Sequence, residues 1–92
     1  MAYNSTQYEI NSLQSQYTQK LQQIDNLQTQ IDNNTNAINL IGTPGYMDTS
    51  LVSYQTQLTN TNTSLVTEQK KAFVMLKAIQ QNLQSLGVSN VG

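Results

Sequence analysis

The chain has no cysteine, no histidine, no tryptophan and no arginine, and a single proline. Each absence removes some chemistry. Without His or Cys there is no ligand set for zinc, and acid–base work is left to carboxylates and lysine, which need a closed pocket to shift their pKa values. Without Cys the redox compartment leaves no trace. Charge is scarce as well: four lysines against five acids, a net −1. Nucleic acid is gripped chiefly by Lys and Arg neutralising phosphates, so no nucleic-acid partner is expected. The one cationic pair, Lys70–Lys71, reads as a solvated helix face. The longest apolar cluster, AFVMLKAI, is short and holds Lys77. A bilayer span needs about 18 apolar residues, so no membrane partner is expected either.

The five acids are Glu9, Asp25, Asp32, Asp48 and Glu68. Asp25 and Asp32 share a helix face but sit two turns apart, too far to clasp one small ion. No nucleophile stands with a base and an orienting group. The expectation is a protein that is not an enzyme, with no catalytic residue, no cofactor and no metal.

What is present is mostly uncharged and polar. Gln, Asn, Thr and Ser make up nearly half of the chain, and hydrophobic residues 37%. That is thin for a compact globular core. Disordered chains normally combine high net charge with few regular apolar positions, whereas here the apolar positions are periodic. An elongated, all-α fold with a narrow core fits both facts.

The period is seven. Tyr3, Ile10, Tyr17, Ile24, Ile31 and Ile38 recur at that spacing, with Thr6, Leu13, Lys20, Leu27, Asn34 and Ile41 three residues further on. In the second half Leu51, Leu58, Leu65, Ala72, Ile79 and Leu86 repeat the pattern, with companions Met47, Tyr54, Thr61, Glu68, Met75 and Asn82. Sustained heptads with bulky residues predict two coiled-coil helices, the first over about 4–41 and the second over about 49–86. The first start would be capped by Asn4 or Ser5. A turn over 42–48 and a tail over 87–92 complete a single helical hairpin spanning 1–92.

Between the helices lies INLIGTPGYMDTSL. Gly42 can take the left-handed conformation that ends a helix. Pro44 suits the first turn of the next one after a Thr43 cap, with Asp48 as the alternative cap, and Gly45 completes the turn. Two nearly equal arms around a short turn predict antiparallel packing. The expected core is Ile10, Leu13, Tyr17, Ile24, Leu27, Ile31, Ile38, Leu51, Tyr54, Leu58, Leu65, Ala72, Met75, Ile79 and Leu86. One register pairs Ile31 with Tyr54 and Ile10 with Met75, and brings Lys20 near Glu68 as a cross-arm ion pair.

Helix two also carries Val52, Val66, Phe73, Leu76 and Leu83 beside that seam, with Leu21 and Tyr8 on helix one. An isolated hairpin would leave such a stripe in water, and exposed apolar patches mark interaction sites. Val66, Phe73, Leu76 and Leu83 are therefore the expected intermolecular interface, packing the hairpin into a larger bundle or assembly. The partners would be other protein chains, including copies of itself. The Ile-rich first positions favour a trimer over a dimer.

A chain that opens MAYNSTQYEINSLQSQ and faces its heptads with Gln, Asn and Thr resembles, in composition, the small coiled-coil structural proteins of phage virions. That resemblance implies a structural role in a particle, as a capsid, neck or fibre accessory. The length and two-helix layout are also similar to the WXG100 family of exported hairpins. That family has Trp-x-Gly in the turn, where this chain has Gly45-Tyr46, so no residue role carries over. A third reading is an intracellular adaptor presenting helix two to a protein partner. Met1–Ile10 lacks the basic-then-apolar pattern of a signal peptide. The expected location is the virion if the chain is viral, and otherwise the cytoplasm or, by export without a cleaved signal, outside the cell.

Overall fold

In a computed structural model the chain is an all-α helical hairpin, described over residues 5–89. Helix α1 spans Ser5–Ile41 and α2 spans Thr49–Ser85. The heptad position Tyr3, the possible cap Asn4 and the tail residues 90–92 lie outside the described residues. The Cα envelope measures 74 × 19 × 15 Å, a rod one helix pair thick.

Thr, Ser and Asn are indifferent helix formers because their side chains compete for backbone hydrogen bonds. Here the hydroxyls turn that tendency inward. Thr18, Thr29, Thr56, Thr59, Thr63, Thr67 and Ser85 each donate to the carbonyl four residues earlier, at 2.9 to 3.1 Å. Amides add one-turn pairs, Gln7 to Asn11 at 3.0 Å and Gln28 to Asp32 at 2.9 Å, of the kind that support a helix surface.

The ends are set by glycine. Gly42 has φ +68°, and its N–H donates to Ile38 O at 3.1 Å, closing α1. At the far end Gly87 has φ +91°, and the Gly87 N–H to Gln84 O and Val88 N–H to Leu83 O bonds form a Schellman cap. Pro44 is not in a helical turn. The turn is the longer of the two forms open to the sequence, with Asp48 at the N-cap of α2. Its carboxylate accepts from the Gly45 N–H at 3.2 Å, while its own N–H donates to Gly45 O at 2.9 Å. Asp48 thus closes the turn and leaves the first N–H groups of α2 without a side-chain cap.

Along α1 the inward positions are Ile10, Leu13, Tyr17, Lys20, Ile24, Leu27, Ile31, Asn34, Ile38 and Ile41, all half-buried. On α2 the seam is rotated from the expected one. Leu58, Leu65, Ala72, Ile79 and Leu86 face inward, but their companions are Gln55, Asn62, Gln69, Leu76 and Leu83. Leu76 is 7% exposed and Leu83 1%, whereas Met75 and Tyr54 are 51% and 52% exposed. Leu51 is also exposed. Tyr54, Met75 and Leu51 therefore leave the core, and Leu76 and Leu83 enter it.

The cause is charge. A seam running through Met75 and Tyr54 would also bury Glu68 and leave two leucines in water. On α2 the polar companions of the observed seam are all neutral amides with donors to offer, Gln55, Asn62 and Gln69. Burying a carboxylate costs far more than burying an amide that finds an acceptor.

Candidate assembly interface

Three amides of α2 set the register. Gln55 Nε2 donates to Ile38 O at 3.3 Å and Gly42 O at 2.7 Å. Asn62 Nδ2 donates to Ile31 O at 3.4 Å and Thr35 Oγ1 at 3.1 Å. Gln69 Nε2 donates to Ile24 O at 3.4 Å and Gln28 Oε1 at 2.8 Å. Both members step by seven, so three successive heptads of α2 are tied to three of α1, and the helices are antiparallel. Ile31 lies beside Asn62, not Tyr54. The expected Lys20–Glu68 pair is absent too: Lys20 donates to Gln23 Oε1 at 2.8 Å, and Glu68 pairs with Lys71 at 3.5 Å.

The seam changes character along the rod. Ala72, Leu76, Ile79 and Leu83, the buried hydrophobic residues, lie in the C-terminal half of α2, at the end away from the turn. Toward the turn the companions are amides. Gln55 has a particular duty there, since it holds two carbonyls at the end of α1. Replacing it with Ala should cost about 1–2 kcal/mol, seen as a lower midpoint when helicity is followed on heating. An unchanged midpoint would mean that the turn is held without it.

Outside the seam the groove between the helices has two flanks. On the first, Gln28, Gln69, Lys70 and Phe73 surround a shallow depression beside Ile24, and Thr59, Asn62 and Val66 another beside Ile38. At heptad spacing this flank carries Val52, Thr59, Val66, Phe73 and Gln80 on α2 and Gln14, Leu21, Gln28 and Thr35 on α1. Phe73 is 49% exposed, with the Lys77 ammonium 5.6 Å from its ring centroid; Leu21 and Val52 are exposed and Val66 half-buried. On the second flank Gln16, Gln23, Met75 and Asn82 border Leu13 and Ile79. Its α2 positions run Tyr54, Thr61, Glu68, Met75 and Asn82, so a charged pair interrupts the apolar residues. A third exposed group, Leu40, Tyr46 and Met47, sits at the turn.

Of the four residues expected at an interface, Phe73 and Val66 lie on the first flank. Leu76 and Leu83 are spent inside the hairpin. Leu21 and Val52 complete the flank. Gly42 and Gly45 are exposed in the turn, with Pro44 half-buried between them. Apolar periodicity alone does not mark the amide ladder. Its signal was there in the sevenfold spacing of Gln55, Asn62 and Gln69 in phase with Leu76 and Leu83.

Among the described residues no three His, Cys, Asp or Glu side chains group as metal ligands, and no helix is long and apolar enough to cross a membrane. The chain matches no known protein family, no curated protein and no solved structure.

Proposed function

We propose that this hairpin is a non-enzymatic structural protein that assembles with other protein chains through helix packing, and that the assembly is a virus particle. The observation that carries the reading is the heptad-spaced apolar flank of Val52, Val66, Phe73 and Leu21, which the hairpin's own seam does not use. A rod with a core this narrow gains most by packing against further helices, since burial stabilises by about 25 cal/mol per Å² of apolar surface. The uncharged Gln, Asn, Thr and Ser coat supports the particle reading. Reversible cellular coiled coils choose partners with charged flanking positions, and a part built once into a fixed lattice has less need of them.

The test is quantitative mass spectrometry of purified particles from the source. The chain should be present at a fixed ratio to the main shell protein and should survive washing in high salt, because apolar packing is not screened by ions. Its absence from washed particles would end the virion assignment.

A further inference from the structure

We propose that the Phe73 flank is covered by a second copy of this chain, related by a twofold axis along the rod, giving a parallel dimer of hairpins that is a four-helix bundle. This rests on the assembly reading above and names its first step. The occupant is chosen by charge. The flank is bordered on α1 by Asp25 and Asp32 and on α2 by Lys70 and Lys77. The Gln69 bonds to Ile24 and Gln28 set the relative height of the helices, so Leu21 lies level with Phe73, and Asp25 level with Lys70, on opposite borders.

Turning a second hairpin by half a turn about the long axis lays its α2 on the first copy's α1. Phe73 then meets the partner's Leu21, and Asp25 meets the partner's Lys70, each contact made twice. Asp25 and Lys70 can do so, because the ion pair among the described residues is Glu68–Lys71. Turning the second hairpin end over end with Phe73 centred on the partner's Phe73 would instead set Lys70 beside the partner's Lys77, a like-charge contact. The lengthwise twofold also makes all neighbouring helices antiparallel, the arrangement of up-and-down bundles.

The area suffices. The hairpin exposes 6695 Å², whereas a compact monomer of its 10.3 kDa would expose roughly 5,400 Å². The rod shape thus leaves more surface uncovered than a compact fold would, and a standard interface of ~800 Å² per partner fits within that excess. The expected preference for trimers belonged to isoleucines in a parallel seam; here those isoleucines face the chain's own second helix.

The experiment takes the full chain at micromolar concentration. Light scattering should give twice the 10.3 kDa chain mass. Leu21→Ser with Phe73→Ser should return the monomer with helicity kept. Lys70→Asp should weaken the dimer by roughly tenfold, and adding Asp25→Lys should restore it. Since the chain has no cysteine, Gln14→Cys and Gln80→Cys, one heptad from Leu21 and Phe73, report the arrangement: mixing the two single variants under oxidation should yield the mixed disulfide. A monomer across the micromolar range, or a dimer that gives no mixed disulfide, would overturn the proposal. A monomer still found in washed particles would end the dimer alone, and a dimer absent from particles would end only the virion assignment.

Discussion

Leu83→Ala is expected to remove about 3 kcal/mol of stability from the hairpin, and Met75→Ala close to none. Leu83 is 1% exposed and is the largest fully buried side chain among the described residues. Truncating such a leucine loses its transfer free energy and leaves a cavity, typically 2–5 kcal/mol. Two facts push the value toward the middle of that range. The seam has few neighbours that can relax into the space, which raises the cost, but it lies near solvent on both flanks, which lowers it. Against a total near the low end of ~5–15 kcal/mol for a small domain, the loss is severe, lowering Tm by roughly 15 °C. Met75 stands half-exposed on the second flank, where substitutions usually stay within about 0.5 kcal/mol. Urea unfolding of both variants at one protein concentration, followed by circular dichroism, makes the comparison. Equal losses would mean that the seam is not where Leu76 and Leu83 place it.

That contrast also measures how far the amino-acid order alone could go. The two helices, the turn and the inward face of α1 are legible because α1 offers one consistent pair of stripes: each isoleucine position has a companion three residues on, and no other choice is as apolar. On α2 the leucine stripe has two candidate companions. Counting from Leu58, the set ending in Met75 and Asn82 and the set ending in Leu76 and Leu83 differ by one residue, a rotation of about 100°. Each set holds two apolar residues, Tyr54 and Met75 against Leu76 and Leu83, so a count of apolar groups does not separate them. What decides is the partner helix: a glutamine beside a carbonyl is satisfied, a glutamate there is not. Residue types carry no record of that until the helices are side by side. The same one-residue rotation moves Leu76 and Leu83 from the expected interface into the seam. Phe73 was unaffected because neither seam includes it.

The amide ladder leads to the opposite kind of result, a substitution that stabilises. Asn62 Oδ1 is buried without a hydrogen-bond partner, and the Asn62 and Gln69 bonds to the carbonyls of Ile31 and Ile24 are long, at 3.4 Å each. A buried acceptor left unsatisfied costs about 1–3 kcal/mol. Ile31 and Ile24 are interior to α1, so their carbonyls keep the helical N–H four residues on when the amides are removed. Replacing Asn62 and Gln69 together with Leu should therefore gain about 2–3 kcal/mol, combining the relieved acceptor with two buried side chains, and raise Tm by roughly 10 °C. Gln55 is left in place because it holds the end of α1. The gain should carry a penalty in uniqueness. With leucine at successive heptads, α2 matches α1 of another chain as well as its own, and nothing polar penalises a shift by seven residues. Light scattering on the double variant should show mixed masses above the dimer, where the unaltered chain gives one. A lower Tm would mean that the ladder's hydrogen bonds outweigh its buried orphan. A higher Tm with a single unchanged mass would mean that the turn alone sets the register. The expected pair of results makes the ladder a specifying device, in which weak amide contacts at three successive heptads keep two long, repetitive helices in one alignment.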